Sequence, residues 1–370
     1  MTTSATLQPV LDGATVVVCC GSGGVGKTTA AAALGIEAAR RGRRVVVVTI
    51  DPARRLADAL GLVDGLGAEP RQIVLEDITK GDGELWAMML DTAAAFDAVV
   101  RRYAGDEEQA ERILANSFFR NMAGSLSGTQ EYMAAETLYL LHNDERFDLV
   151  VVDTPPTRNA LDFLEAPGVL ARFLDHRLFR LLMLPARRGM RVVSVATQPL
   201  LRATGKVVGS DVLADAVAFF QSFAGMEGGF RQRADDVTGL LRSEATRFVI
   251  VASPRRETVT EAVWFAEQLA GQGITNIAGV VNRVHPAFGD GTADEAAAKA
   301  AAAAEAGADG PRALWANLAE LRALREGEFG ELAAFTALFA DAPCVEVPQL
   351  AADVHDRAGL EHVGHHLFGS

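Results

Sequence analysis

Short apolar runs rich in β-branched residues recur between longer stretches of helical periodicity: Thr15 to Cys20, Val45 to Ile50, Leu85 to Leu90, Leu149 to Val152, Phe248 to Ala252, Ile277 to Val281 and Cys344 to Val347. Several are apolar at every position instead of alternating, which is the pattern of strands covered by helices on both faces. The predicted fold is α/β, a doubly wound and mainly parallel sheet.

Two intervals are too long for simple crossovers. Residues 92–147 and 157–246 carry helical periodicity and few strand signals, so they read as helical insertions above the carboxyl edge of the sheet, within one domain over 14–370. They hold apolar clusters at Phe118, Phe119 and Met122, at Leu178, Phe179, Leu181, Leu182 and Met183, and at Phe219, Phe220, Phe223, Met226 and Phe230. Ordinary packing between helices explains most stripes of this kind. The other reading is a client groove, in which Met and Phe adapt to varied apolar ligands. From Thr292 to Ala306 the chain is almost all alanine, with Glu295 four residues before Lys299, which predicts an exposed, mobile helix before the segment Pro311 to Leu324.

The first apolar run leads into Gly21-Ser22-Gly23-Gly24-Val25-Gly26-Lys27-Thr28, a complete G-x-x-x-x-G-K-[ST] phosphate loop, and a helix opens at Thr28. Glycines let backbone N–H groups curl around an anion without Cβ clashes, Lys27 reaches toward the β and γ phosphates, and the Thr28 hydroxyl suits Mg²⁺. The expected nucleotide contacts are Gly21, Gly23, Gly24, Val25, Gly26, Lys27, Thr28 and Thr29. Two later strands end in Asp51-Pro52-Ala53 and in Asp153-Thr154-Pro155-Pro156-Thr157. Helix capping would explain either aspartate singly. Two of them at carboxyl ends of strands beside a phosphate loop suit water activation and Mg²⁺ handling.

The net charge of −13 argues against a general nucleic-acid or anionic-membrane surface. The basic clusters Arg40 to Arg44 and Arg187 to Arg191 are short and read as solvated loops. Cys19, Cys20 and Cys344 form no C-x-x-C, which fits a reducing cytoplasm. No apolar run approaches a membrane span, and Met1 to Gly13 has no leader pattern, so a soluble, cytoplasmic protein without stable membrane insertion is expected. His362, His365 and His366 sit at helical spacing without a local carboxylate or thiol cluster, which reads as a surface tail helix and not as a metal site.

These motifs resemble those of a known family, the deviant-Walker-A ATPases of the arsenical-pump and tail-anchored-protein-targeting type. The resemblance runs from about Val16 to the C-terminus. It rests on Gly-Gly-Val-Gly-Lys-Thr-Thr, Asp51-Pro52-Ala53, Asp-Thr-Pro-Pro-Thr with Leu161-Asp162-Phe163-Leu164, Val280-Val281-Asn282-Arg283 and Val347-Pro348-Gln349-Leu350, in that order. It implies ATP and Mg²⁺ as ligands. It also implies that Asp51 orients or deprotonates the attacking water, that Thr28 binds Mg²⁺ directly and Asp153 through water, and that Asn282 meets the adenine edge with Pro348 near the base. An amide suits that task because it offers donor and acceptor together.

The family pattern carries lysine where this chain has Ser22, and that lysine crosses a dimer interface to the partner's phosphates, in the manner of an arginine finger. The interfacial zinc C-x-x-C and the metalloid cysteines of the family are also missing here. The resemblance therefore implies an ATP-hydrolysing dimeric switch acting on an unknown protein or lipid-linked client, as a homodimer or a heterodimer with a paralogous ATPase. The alternative is a weakly catalytic or non-catalytic ATP-binding subunit paired with a lysine-bearing paralogue. Arg54, Arg55 or Arg158 would be substitutes for the lysine supplied in cis.

Overall fold

The computed structural model describes residues 6–51, 54–75, 83–116, 129–156, 163–165, 215, 218–219 and 226–369. Each of the seven apolar runs forms a strand: β1 Val16–Gly21, β2 Arg44–Thr49, β4 Glu84–Met89, β5 Leu149–Asp153, β6 Thr246–Ala252, β7 Ile277–Val284 and β8 Cys344–Pro348. An additional strand, β3 Arg71–Ile73, has no apolar run to announce it. It is a three-residue edge strand with only Ile73 buried, and an edge of that kind needs one neighbour and one apolar side chain. The order is β3-β4-β2-β5-β1-β6-β7-β8. The pairs are parallel except β3 with β4, which makes this a doubly wound α/β sheet with one antiparallel edge.

Alternate residues of each central strand feed two separate cores. Val17, Cys19, Val45, Val47, Val151 and Val251 face α2 (Lys27–Arg40) and α11 (Arg357–Phe368). Val16, Val18, Cys20, Val46, Val150 and Ile250 face α6 (Thr129–His142), α7 (Glu227–Arg242), α8 (Arg256–Gly271) and α10 (Asp309–Ala337). Burial on both faces is why the runs do not alternate. On the first face α2 lies very close to the sheet. A Cβ on Gly35 would stand 2.5 Å from Val47 Cγ2 and 3.2 Å from Leu85 Cδ1.

The remaining described helices are α1 (Gln8–Leu11), α3 (Arg55–Ala59), α4 (Thr92–Tyr103), α5 (Glu107–Ala115) and α9 (Ala293–Glu305). Asp91 caps α4 by accepting from Ala93 N and Ala94 N, both at 3.0 Å, and Thr292 with Glu295 forms a capping box on the alanine-rich α9, most of which is exposed. A third apolar cluster joins Val99 and Val100 of α4, Ile113 of α5, Met133 of α6, Phe219, Met226 and Phe230. Three of the aromatic and methionine positions singled out above are therefore packed core. Phe118, Phe119, Met122, Leu178, Phe179, Leu181, Leu182, Met183, Phe220, Phe223 and the basic cluster 187–191 lie outside the described residues. The C-terminal helix differs from a mere surface tail: Leu360, Val363, Leu367 and Phe368 of α11 belong to the first core, while His362 and His365 face outward. No helix among the described residues is long and apolar enough to cross a membrane.

Because the α2–sheet contact has no spare volume, Gly35→Val should destabilise the chain by roughly 1–3 kcal/mol, the usual cost of overpacking. Urea unfolding of wild type and variant measures this, and an unchanged midpoint would contradict the close approach.

Candidate nucleotide site

The strand order sets the carboxyl ends of β2, β5 and β1 side by side. Asp153, the last residue of β5, is level with Cys19 on one neighbour and Thr49 on the other. Its Oδ2 accepts hydrogen bonds from Thr28 Oγ1 at 2.8 Å and from Thr49 Oγ1 at 2.9 Å. Its Oδ1 is buried with no hydrogen-bond partner among the described residues. Thr49 was absent from the candidates above, since a threonine at a strand end gives no signal of its own; only the register identifies it. Next along the edge, Thr154 Oγ1 donates to the Cys19 carbonyl at 2.7 Å and ties β5 to the strand beneath the loop.

The phosphate loop turns from β1 into α2 through Gly26, whose φ of +101° favours glycine. The space is as restrictive as the angle, because a Cβ there would stand 2.2 Å from Asn282 Nδ2. No side chain caps α2, so its first N–H groups face the loop's hollow, as an anion site requires. Lys27 is buried and its Nζ donates to the Ser22 carbonyl at 2.8 Å, across the loop. Burial lowers its pKa, opposed chiefly by the charge of Asp153.

Asp51 follows the end of β2 by two positions and pairs with Arg55 Nη1 at 3.2 Å. Gln130 Nε2 at the start of α6 donates to the neighbouring Ile50 carbonyl at 3.0 Å. Pro52, Ala53, Thr157, Leu161 and Asp162 lie outside the described residues; Phe163 and Leu164 are buried in the second core. Ser22 is 5% exposed, and its hydroxyl donates to Glu261 of α8.

Asn282 of β7 donates from Nδ2 to the Val25 carbonyl at 2.8 Å, and its Oδ1 accepts from Arg283 N at 2.9 Å. Arg283 has a φ of +62° at an irregularity in the β7–β8 pairing and donates from Nη1 to the Gly24 carbonyl at 3.1 Å. A non-glycine residue held there stores strain, which is a signature of sites. Asn282 and Pro348 line a pocket of about 240 Å³ together with Gly26 and Thr29. A second cavity, of about 270 Å³, lies against Gly23, Gly24 and Val25 on the side of α8. Glu261 and Gln130 act through partners distant in sequence, so nothing local marks them, and Arg283 is marked only as the last residue of the motif that carries Asn282.

Comparison with known proteins completes this picture. A family model described as anion-transporting ATPase matches residues 14–302. The chain belongs to the anion-transporting ATPase family. Among its relatives, the protein named ATPase GET3 of Malassezia globosa is 32% identical over 171 residues, covering 46% of this chain and 48% of its own length. ATPase GET3 of Phaeosphaeria nodorum is 29% identical over 177 residues, 46% of this chain and 51% of its own length. ATPase get3 of Aspergillus terreus is 26% identical over 268 residues, 71% of each chain. The chain thus spans about half the length of the first two relatives and somewhat more of the third.

In this family member the electrostatic centre is Asp153. Complete burial pushes its pKa up to about 6, against the lowering effects of the Thr28 and Thr49 hydrogen bonds and of Lys27. The thiols offer no competing soft-ligand centre: burial raises Cys19, and pushes Cys20 and Cys344 up to about 12. A carboxyl group with a higher pKa folded than unfolded holds its proton more tightly in the folded chain. Its ionisation costs no stability below the unfolded value of about 4, costs progressively more as pH rises, and reaches the full cost above about 6. Asp153→Asn should therefore stabilise the ligand-free protein at pH 7.5 by an amount on the order of 1–3 kcal/mol, and the gain should vanish near pH 4. Urea titrations of both proteins at the two pH values check this. A variant no more stable than wild type at pH 7.5 would contradict the assignment.

Proposed function

We propose that the chain binds Mg²⁺–ATP in the β1–α2 loop, hydrolyses it, and works as a dimeric switch acting on a protein or lipid-linked client through helical insertions at 92–147 and 157–246. The observation that carries this reading is the convergence of Lys27, Thr28 and Asp153 on one sheet edge, with Asp51 at the end of the adjacent strand β2. Membership in a family of ATPases supports it.

The orphaned, buried Asp153 Oδ1 beside the Thr28 hydroxyl is a hard-oxygen donor set that fits Mg²⁺. Thr28 and Asp153 would hold the ion, which when bound supplies neutralising charge to the phosphates. Loop N–H groups of Gly21 to Thr29 and the Lys27 ammonium would bind the phosphates, while Asn282 and Pro348 would flank the base. For Asn282 that role calls on the second N–H of its amide, because Val25 already takes the first.

In hydrolysis the water oxygen bonds to the γ-phosphorus, the bond from that phosphorus to the β–γ bridging oxygen breaks, and its electron pair leaves with ADP. One water proton passes to the Asp51 carboxylate and on to solvent. Arg55 holds that carboxylate from one oxygen at 3.2 Å and limits its rotation. A second reading is favoured by Ser22, whose side chain is short, uncharged and spent on Glu261. In that reading the chain is an ATP-holding subunit whose site is completed by a paralogous partner.

Lys27→Ala should weaken binding of a fluorescent ATP analogue at least tenfold, because the β and γ phosphates then lose a charge-assisted partner in a buried setting. Equal affinities would defeat the nucleotide assignment. Asp51→Asn should leave ATP affinity and thermal stability near wild type while turnover falls by about two orders of magnitude. A parallel loss of affinity would move Asp51 out of the water-activating role.

A further inference from the structure

Asp51 stands beyond the paired part of β2, so its backbone has to be held by something other than the sheet if its carboxylate is to meet one water molecule. The register of β2 with β4 and β5 stops at Thr49. One peptide further, the Thr49 carbonyl accepts from Leu90 N at 2.9 Å and Ile50 N donates to the Asp153 carbonyl at 3.0 Å. The next peptide, Ile50–Asp51, is held from outside the sheet. Its carbonyl accepts from Gln130 Nε2 at 3.0 Å, across 80 positions of sequence. A peptide is planar, so a carbonyl held in this way fixes the plane that also carries the Asp51 N–H and Cα. The Ile50 side chain, buried in the second core, anchors the near end of that plane.

The carboxylate has a weaker hold of its own. Arg55 pairs with it at 3.2 Å, but the Arg55 side chain is 64% exposed, and ion pairs in that setting are screened and contribute little. Arg54 is turned to the Val63 carbonyl at 2.6 Å, and Arg158 lies outside the described residues. Gln130, by contrast, is carried by a helix with little freedom to shift. Ala135, Leu138 and Leu141 of α6 lie in the second core, Met133 lies in the third apolar cluster, and Glu136 meets Arg233 of α7 at 3.3 Å.

We propose that Gln130 is the positioning residue for Asp51: by holding the Ile50 carbonyl from α6, it aims the carboxylate at the attacking water. This rests on the ATPase reading above, in which Asp51 takes the water proton. Gln130 acts through the backbone and not on the nucleotide. Its amide neither gains nor loses a proton, so the balance of the hydrolysis step is unchanged. Its contribution is orientation, which a displacement of about 1 Å is enough to spoil.

The test uses Gln130→Met and Gln130→Glu, which keep the side-chain length and remove its N–H, and Gln130→Arg, whose Nε–H is as many bonds from the backbone as the amide it replaces. All four residues have similar helix propensity, so α6 itself is preserved. In the nucleotide-free protein at pH 7.5, amide hydrogen exchange over the segment from Thr49 to Arg55 should quicken by about threefold or more in Gln130→Met and Gln130→Glu, while β5 stays as protected as in wild type. In steady-state ATP turnover both should lower kcat roughly tenfold, with KM, affinity for a fluorescent ATP analogue and thermal stability near wild type, and Gln130→Arg should recover most of the loss. Added to Asp51→Asn, Gln130→Met should cost less than about twofold more, because the carboxylate it positions is gone. Wild-type exchange or wild-type kcat in the two variants without the donor would overturn the proposal. So would an equal fold loss with and without the Asp51 carboxylate, or a loss confined to KM. A wild type that fails to bind the ATP analogue would instead defeat the ATPase reading, and the role in hydrolysis with it, whatever the exchange shows.

Discussion

The candidate site is organised around one buried carboxylate. Asp153 closes β5 between β2 and β1, and two hydroxyls from the flanking elements reach the same oxygen. A buried charge with half its hydrogen-bonding capacity unmet is expensive, and such a cost persists in a fold only where the surroundings enforce it. Here the enforcement is the parallel register itself, since neither Thr49 nor Thr28 can withdraw without breaking a central strand or the first turn of α2. The same arrangement leaves one oxygen of the carboxylate, Oδ1, without a hydrogen-bond partner among the described residues.

Around that centre the phosphate loop is held by side chains from both directions. From β7, Asn282 and Arg283 take the carbonyls of Val25 and Gly24; from α8, Glu261 takes the Ser22 hydroxyl. A carbonyl held in this way fixes its peptide plane and with it the direction of the N–H on the opposite side of the same peptide. Gly26 has to lack a side chain for this grip to exist, because Asn282 occupies the place of its Cβ. The irregular β7–β8 pairing and the left-handed backbone at Arg283 are the strain that accompanies aiming two consecutive side chains at the loop.

Much of this was legible in the chain and some was not, for physical reasons. Strands buried on both faces leave uninterrupted apolar runs, so β1, β2 and β4 to β8 could be read directly, and the loop motif depends on glycine chemistry that is local by nature. β3 could not be read, because an edge strand with one buried residue has no pattern to display. In the candidate site, Lys27, Thr28, Asp51 and Asp153 could be named since each sits at the end of a readable element. Thr49, Glu261 and Gln130 could not, because each owes its place to a partner brought close only by the strand order. The C-terminal histidines point to a surface tail because His362 and His365 do lie on the outer face of α11, while Leu360, Val363, Leu367 and Phe368 pack into the core.

Helix α6 links the sheet edge to the helical layer. Gln130 at one end holds the carbonyl next to Asp51, Leu138 and Leu141 lie in the core under the sheet, and Glu136 pairs with Arg233 of α7 at 3.3 Å. Both members of that pair are buried, burial raises the pKa of Glu136, and the Arg233 guanidinium is covered by Tyr139 at 4.1 Å and bonded to Tyr103 of α4. A buried ion pair contributes little net stability but strongly penalises any arrangement that separates its partners. Helices α4, α6 and α7 are therefore constrained to keep one mutual geometry, and a displacement of the β2 carboxyl end meets a packed unit instead of a single pliable helix.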